Sequence, residues 1–184
     1  MRIRQARPDD ASAVADVHVR SWQAAFAGLV PQPYLDTMDP GREEPVWKAL
    51  IAEAAWPSAG VLVAESDARI VGFTGFGPSQ EAPSIAEIGT LYALPEVWST
   101  GIGKQLMLGA LKTLDQAHYT HATLWVLEAN ERARRFYEAA GWSPDGTSVT
   151  DTTGGACLNK LRYRSARGVA RSAGAGRATP EVPV

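Results

Sequence analysis

The sequence contains a single cysteine, Cys157, among its 184 residues. One thiol cannot form an intramolecular disulfide, and it leaves no thiolate cluster for a structural metal site. We interpret Cys157 as a small apolar residue of the core. The three histidines are also few and scattered, so we interpret them as structural or surface residues and predict no metal site.

Long hydrophobic runs and an excess of basic charge are absent as well. No run of about 18 apolar residues occurs, and no apolar signal-peptide core follows the first five residues, which pass into a strand pattern. The chain has 18 Lys and Arg against 20 Asp and Glu, a formal charge of −2, which does not favour nucleic-acid binding. We expect a cytoplasmic protein that binds neither membranes nor nucleic acids.

The length and the 45% hydrophobic content suit a single domain with a sizeable core. We assign that domain to residues 1–164. Residues 165–184 are rich in Arg, Ala and Gly and lack aromatic side chains. Such a segment cannot bury enough surface to offset the entropy of ordering it, so we predict a disordered tail.

Hydrophobic periodicity predicts strands and helices that alternate along the domain. The pair Pro40-Gly41 is expected to separate two short helices. A strand, a helix and a strand from 85 to 127 imply a right-handed parallel crossover within an α/β fold. The predicted strands cover residues 2–7, 60–65, 69–76, 85–94, 123–127 and two segments within 142–164; the predicted helices cover 8–28, 32–38, 43–54, 101–116 and 130–140.

The turn from Trp98 to Lys104 joins a predicted strand to a predicted helix. Such a turn points unpaired backbone N–H groups and the positive end of the helix dipole at one place, which favours an anion such as a pyrophosphate. Gly101 and Gly103 leave no Cβ between these amides and a phosphate oxygen.

Two better-known glycine motifs are excluded at this turn. An ATP-binding P-loop requires glycine where Trp98 stands and serine or threonine where Gln105 stands. A dinucleotide fingerprint requires glycine or alanine at Leu106, after an opening βαβ unit that this chain lacks. Neither an ATP site of that type nor an NAD site is predicted.

The run from Glu87 to Gly103 resembles motif A of the GNAT acetyltransferases, and the run from Asn130 to Trp142 resembles motif B. Both occur in the family's order and separation, and the likeness extends to residues 21–31. It implies the GNAT acyl-CoA N-acyltransferase fold: a mixed, mostly antiparallel sheet with one splayed parallel pair and helices on both faces. It also implies acetyl-CoA as co-substrate. Trp98 departs from the family pattern, in which Gln or Arg is more frequent.

The resemblance assigns the coenzyme to three parts of the chain. Asn130 matches a residue that reaches the pantetheine, although a plain helix N-cap is an equal alternative. Arg132, Arg134 and Arg135 follow Asn130 and are candidate partners of the 3′-phosphate, with Arg134 the first choice and a solvated charged helix face as the alternative. The backbone amides implied for the pyrophosphate are those of Ser99, Thr100, Gly101, Ile102, Gly103 and Lys104, and the strand residues implied for the pantetheine are Leu91, Tyr92 and Ala93.

Two residues are candidates for proton transfer. The resemblance places the Tyr137 hydroxyl near the coenzyme sulfur, where a phenol can protonate the leaving thiolate; the alternative is a core aromatic. Strand alternation puts Glu87 on the same face as Gly89 and Leu91. It resembles the strand carboxylate that some family members use as a base, often through water, and an edge carboxylate at the start of the strand is the alternative.

The first helices cover the substrate side of the sheet in the family, which makes Trp22, Phe26 and Tyr34 candidates for the acceptor site, with Trp47 beside them. We predict transfer of an acetyl group from acetyl-CoA to a primary amine of a small molecule or peptide, by direct attack in a ternary complex. A non-catalytic acyl-CoA-binding module is the alternative, and a purely structural domain is a weaker one. Proteins that resemble this one often form homodimers.

Overall fold

Seven strands form one sheet in the computed structural model, which describes residues 1–165. The strand order is β1-β2-β3-β4-β5-β7-β6. Ser165 ends β7, one residue beyond the predicted domain boundary, and the rest of the predicted tail lies outside the described residues. The strands are β1 (Arg2–Gln5), β2 (Gly60–Ser66), β3 (Arg69–Pro78), β4 (Ile85–Ala93), β5 (His121–Leu127), β6 (Trp142–Thr153) and β7 (Ala156–Ser165); the α-helices are α1 (Ala11–Ala25), α2 (Gln32–Asp36), α3 (Pro40–Ala52), α4 (Ile102–Gln116) and α5 (Glu131–Ala139).

Strands β4 and β5 are parallel, whereas the other neighbouring strands of the described sheet pair antiparallel. The parallel pairing runs from Ile85 opposite His121 to Ile88 opposite Leu124 and stops there. Both strands continue beyond that point, β4 to Ala93 and β5 to Leu127. The two strands therefore splay apart, and the predicted fold class is confirmed.

Helices cover both faces of the sheet. The Phe73 ring of β3 packs against His18 of α1 and Trp47 of α3. A Cβ on the preceding residue, Gly72, would lie 3.2 Å from Leu106 Cδ1 in α4. Consecutive strand residues point to opposite faces. Helices α1 and α3 thus lie on one face, and α4 lies on the other.

The break between α2 and α3 falls earlier than predicted. Asp39 caps α3 by accepting a hydrogen bond from the Gly41 N–H at 3.0 Å, and Pro40 is the first helical residue. Proline suits that position because its missing N–H has no intrahelical partner there. Pro40-Gly41 therefore starts a helix, and the expectation that it separates two helices was wrong by about one turn.

Cys157 is exposed, and the interpretation of it as a core residue was wrong. It lies near the turn of the β6–β7 hairpin, opposite Thr152. β6 is the last strand of the sheet, and Gly154 and Gly155 of the hairpin turn are exposed, as is Cys157. Apolar periodicity identifies a strand, but it does not reveal which end of the strand is exposed.

Candidate active site

The turn before α4 presents free backbone amides. Gly101 is the residue before the helix and has a left-handed φ of +91°. The first helical hydrogen bond runs from the Gln105 N–H to the Gly101 carbonyl, at 3.1 Å. The N–H groups of the first turn therefore have no partner inside the helix, and they point along its positive end. This is the geometry that binds a phosphate.

A groove of about 480 Å³ runs from this turn between α4 and α5; we call it the α4 groove. Thr100 and Ile102 do not line it: the Thr100 hydroxyl donates to the Val97 carbonyl, and the Ile102 side chain is buried in the core. The Thr100 N–H also donates to the Val97 carbonyl, at 3.4 Å, so of these two predicted residues only Ile102 can offer a free backbone amide. The predicted coenzyme residues that do line the groove are Leu91, Tyr92, Ala93, Ser99, Gly101, Gly103 and Lys104.

The edge of β4 that faces the splay is open where the groove passes it. Leu91 and Tyr92 pair with β3 on their other side, opposite Thr74 and Phe73. Toward β5, the pairing of β4 ends at Ile88. An extended, amide-containing chain such as pantetheine can add to an open edge of this kind through backbone hydrogen bonds. The groove, the amides and the open edge together fit coenzyme A.

Of the two arginines near the start of α5, Arg132 and not Arg134 lines the groove, which Lys104 of α4 also lines. The Arg134 Nε donates to the Tyr163 hydroxyl at 3.2 Å and its guanidinium also donates to the Glu128 carbonyl, so it is turned away from the groove. The Arg132 guanidinium carbon lies 3.3 Å from the centroid of the Trp98 ring and lines the groove. Partial burial lowers the pKa of Arg132, which remains charged.

The contacts of Trp98 explain why this residue, atypical of the family, is tolerated in the glycine turn. Its indole Nε1 donates to the Ala93 carbonyl at 2.7 Å, which ties the glycine turn to the end of β4. Its ring face then supports Arg132 through a cation–π contact. Where Gln or Arg would offer a polar side chain, the Trp98 ring thus positions the guanidinium of Arg132.

A second cavity of about 660 Å³ lies on the α1 face, at the splay; we call it the α1 cavity. Trp22 and Phe26 of the first helical segment line it, as predicted. Tyr34 does not line it and is 37% exposed. Tyr34 packs instead on the β6–β7 turn, where a Cβ on Gly154 would lie 2.6 Å from Tyr34 Cβ. Trp47 is buried behind the cavity, against Phe73.

Glu87 lines the α1 cavity, but its predicted position relative to the rest of β4 was wrong. The β3–β4 register passes from Gly75 opposite Thr90 to Phe76 opposite Ile88, which leaves Gly89 without a partner. A β-bulge of this kind shifts the alternation by one residue. Glu87 is therefore in phase with Thr90 and Tyr92, whereas the prediction put it in phase with Gly89 and Leu91.

Tyr137 lies where the two cavities meet. They share five lining residues, which are Leu91, Tyr92, Arg132, Ala133 and Tyr137. The Tyr137 ring packs against Phe136, Trp142 and Tyr163, and no described residue hydrogen-bonds to its hydroxyl. Burial, with a smaller effect of Tyr92, raises the pKa of Tyr137 well above its usual value. The phenol therefore keeps its proton and has no protein partner for it.

Asn130 caps α5. Its side-chain oxygen accepts a hydrogen bond from the Ala133 N–H at 3.1 Å, so the N-cap alternative is present in the structure. The residue also lines the α1 cavity. Because the cap uses only the oxygen, the side-chain NH₂ is left for other partners, and a coenzyme contact stays a prediction.

Two candidate features are not found among residues 1–165. No group of three or more His, Cys, Asp or Glu side chains in that part of the chain is arranged to hold a metal ion. Within the same residues, every helix is too short or too polar to cross a bilayer.

A family model described as "Acetyltransferase (GNAT) family" matches residues 22–142, which include the glycine turn and the shared cavity wall. The chain belongs to the GNAT acetyltransferase family. It is an acyltransferase, and the predictions of N-acetyltransferase activity and of acetyl-CoA as co-substrate are confirmed at the level of the family.

Relatives of this GNAT chain span most of its length. It is 31% identical over 156 residues to a probable N-acetyltransferase from Mycobacterium tuberculosis, covering 82% of this chain and 84% of the relative. It is 25% identical over 169 residues to a spermidine N(1)-acetyltransferase from Thermoplasma acidophilum, covering 90% and 99%. The crystal structure of PaiA N-acetyltransferase from T. acidophilum in complex with coenzyme A has the same fold, with a TM-score of 0.70 at 21% identity over 89% of this chain and 97% of that one.

Replacing Gly101 by alanine is expected to raise the Kd of coenzyme A roughly tenfold. Alanine at φ +91° is strained by about 1–2 kcal/mol, so the turn relaxes and its amides move. The new Cβ would also project where no protein atom lies within 4 Å, into space that the groove leaves open. Isothermal titration calorimetry measures the Kd.

The matched control for this substitution is Gly146→Ala. Gly146 has φ +88° and open space around its Cβ, but it lies in β6, away from the α4 groove. The two variants should lose similar stability, and only Gly101→Ala should weaken binding. Equal Kd values in both variants would argue against phosphate binding at the head of α4.

Proposed function

We propose that this GNAT enzyme acetylates a primary amine that carries a single positive charge on an apolar body, by direct attack in a ternary complex. The shared wall of the two cavities carries this proposal. A thioester that lies in the α4 groove reaches Leu91, Tyr92 and Tyr137. An amine that lies in the α1 cavity reaches the same three residues from the other side.

In this arrangement the α4 groove holds the coenzyme. The amides at the head of α4 bind the pyrophosphate, and Arg132 adds a positive charge beside it. The pantetheine amides pair with the open edge of β4 and deliver the sulfur toward Tyr137. Acetyl-CoA supplies the acetyl group as an activated thioester.

The reaction forms a C–N bond and breaks a C–S bond. The neutral amine attacks the thioester carbonyl, and the departing thiolate takes the proton of the Tyr137 hydroxyl. Tyr137 suits this role because it is protonated and its hydroxyl makes no bond to the protein. Glu87, the base candidate from the sequence, lies in the wall of the α1 cavity, where its carboxylate can pair with the ammonium of the acceptor.

The lining of the α1 cavity favours a particular class of acceptor. Glu87 is the sole carboxylate among its lining residues, and the Lys160 ammonium of the lining is paired with Asp151. Burial of a second ammonium without a carboxylate partner is unfavourable. The remaining lining is largely apolar and includes Trp22, Phe26, Val30, Trp125, Leu127 and Leu158. The site therefore suits a monocationic amine with an apolar body, and it disfavours a polyamine such as the spermidine named for the T. acidophilum relative.

Thiol release from acetyl-CoA in the presence of different amines tests this proposal. We expect kcat/KM for 2-phenylethylamine to exceed that for spermidine at least about tenfold, because one unpaired buried ammonium costs more than about 1.4 kcal/mol. Leu158→Glu adds a second carboxylate to the cavity and should reduce the ratio of kcat/KM for 2-phenylethylamine to kcat/KM for spermidine. Leu108→Glu, on the exposed side of α4, should leave that ratio unchanged.

Two results would count against the proposal in different ways. A higher kcat/KM for spermidine than for the monoamine would overturn the acceptor class and leave the reaction intact. Tight binding of acetyl-CoA without thiol release for any amine would favour the alternative, a non-catalytic acyl-CoA-binding module.

A further inference from the structure

His18 of α1 lies in the wall of the α1 cavity, inside a cage of aromatic rings. It stacks on Tyr92 with ring centroids 5.5 Å apart and planes 29° from parallel. The rings of Trp22, Trp47 and Phe73 meet it edge-on at 5.9, 5.5 and 6.3 Å. The ring orientation is therefore fixed, and Tyr92, on which it stacks, also belongs to the wall that the two cavities share.

Two side chains of α3 compete for the Nδ1 atom of His18. The Trp47 indole N–H donates to Nδ1 at 3.3 Å, which requires a lone pair on Nδ1. A Glu43 carboxylate oxygen lies 3.4 Å from the same atom, and a hydrogen bond to it requires a hydrogen on Nδ1. The two contacts thus match two different protonation states of one ring.

The opposite edge of the ring is available to the cavity. Both Nδ1 partners belong to α3, so Nε2 lies on the side away from that helix. No described residue hydrogen-bonds to Nε2. When Nδ1 carries its hydrogen and gives it to Glu43, Nε2 has a free lone pair, and the ring that carries it lines the α1 cavity.

The surroundings of His18 keep it neutral before it accepts a proton. Burial lowers the pKa of His18, and the nearby Glu43 carboxylate partly opposes that effect. The other titratable group that faces the ring is Tyr92 from β4, whose pKa burial raises to about 12 and which is therefore uncharged. The ring is thus a neutral base near pH 7, and the Glu43 carboxylate is close enough to stabilise the imidazolium.

We propose that His18, backed by Glu43, accepts the proton of the acceptor ammonium; this inference rests on the proposed acetyl transfer. Nε2 takes one proton from the ammonium, and Nδ1–H then donates to Glu43. The freed amine attacks the thioester carbonyl, the C–N bond forms and the C–S bond breaks. The nitrogen loses a second proton, which restores the hydroxyl of Tyr137 after that residue has protonated the thiolate. His18 returns its proton to water.

The first test is His18→Asn, with His118→Asn as its control on an exposed residue outside both cavities. We expect His18→Asn to lower kcat with 2-phenylethylamine by roughly 10²-fold, the usual loss for a general base, while the KM for acetyl-CoA stays unchanged. His118→Asn should retain the wild-type kcat. Circular dichroism checks that both variants fold.

The second test separates a proton acceptor from a packing residue, and it also works if His18→Asn is misfolded. The rate should fall as pH drops through the pKa of His18, because only the neutral ring accepts a proton. Glu43→Gln removes the charge that raises this pKa, so the acid limb of kcat should move to lower pH. Trp47→Phe removes the donor that favours the neutral ring, so the limb should move to higher pH. Glu44→Gln, the neighbouring carboxylate, should move neither the limb nor the rate.

NMR titration of the His18 Cε1–H signal shows whether these limbs belong to His18. Coincidence of the titration midpoints with the kinetic limbs in all variants supports the proposal. An unchanged kcat and pH profile in His18→Asn, with loss of activity in Glu87→Gln, would overturn it and leave acetyl transfer established. Absence of thiol release from the wild-type enzyme with every amine would instead overturn the proposed function and this inference together.

Discussion

Replacing Tyr137 by phenylalanine is expected to lower kcat for acetyl transfer by roughly 10²-fold, because in the proposed reaction the thiolate would then leave without a general acid. The ring contacts with Phe136, Trp142 and Tyr163 do not involve the hydroxyl, so the fold and the α4 groove persist. The Kd of coenzyme A should therefore stay close to the wild-type value. A loss in kcat and in kcat/KM by the same factor is the kinetic pattern of an interaction made in the transition state.

Stopped-flow measurement of thiol release, paired with calorimetry of coenzyme binding, gives both quantities for Tyr137→Phe. Tyr119→Phe is the matched control, since it also removes one hydroxyl, but from a bond to the Ser58 carbonyl away from both cavities. If Tyr137→Phe and Tyr119→Phe both retained the kcat of the wild type, the acid role of Tyr137 would be wrong. Water would then protonate the thiolate.

Phe73→Ala should reduce the free energy of unfolding by about 3–5 kcal/mol, the cost of removing a buried aromatic ring and leaving a cavity. The Phe73 side chain has no exposed surface. Its ring centroid lies 4.8 Å from that of Trp47 and 5.7 Å from that of Tyr92, so it fills the contact between the sheet and the helices of the α1 face.

Urea denaturation followed by circular dichroism measures the loss in Phe73→Ala. Leu108→Ala is the control, because Leu108 is 47% exposed on α4 and its truncation should change stability by less than about 0.5 kcal/mol. A loss of under about 1 kcal/mol in Phe73→Ala would mean that the α1 face packs loosely enough to collapse around the gap.

The parts of the site that could be predicted from sequence are those fixed by local chemistry. Gly101 marks a left-handed residue at the start of a helix, and Gly141 marks one at the end of another; both glycines have φ near +90°. These signals fix where α4 begins and where α5 ends. The order of strand, turn and helix then decides where the amides at the head of α4 and the hydroxyl of Tyr137 lie.

What could not be predicted depends on contacts between distant segments. The phase of Glu87 changes at the Gly89 bulge, which the register with β3 determines. The side of α5 that faces the groove is set by packing, because both Arg132 and Arg134 lie near the helix start. The ring of Trp98, 34 positions earlier in the chain, contacts the Arg132 guanidinium, and the hydroxyl of Tyr163 in the last strand accepts a hydrogen bond from Arg134.

Gly154 lets the β6–β7 turn pack against Tyr34 of α2, two segments that are distant in the sequence. Its left-handed backbone and the Tyr34 ring 2.6 Å from its missing Cβ leave no room for another residue. The β6–β7 hairpin that α2 contacts here lines the α1 cavity through Val149, Thr153, Leu158 and Lys160, and none of its residues lines the α4 groove. If the α1 cavity holds the acceptor as proposed, exchange of this hairpin would alter which amines enter while the residues around the thioester stayed the same, so acceptor choice and acetyl chemistry could diverge independently.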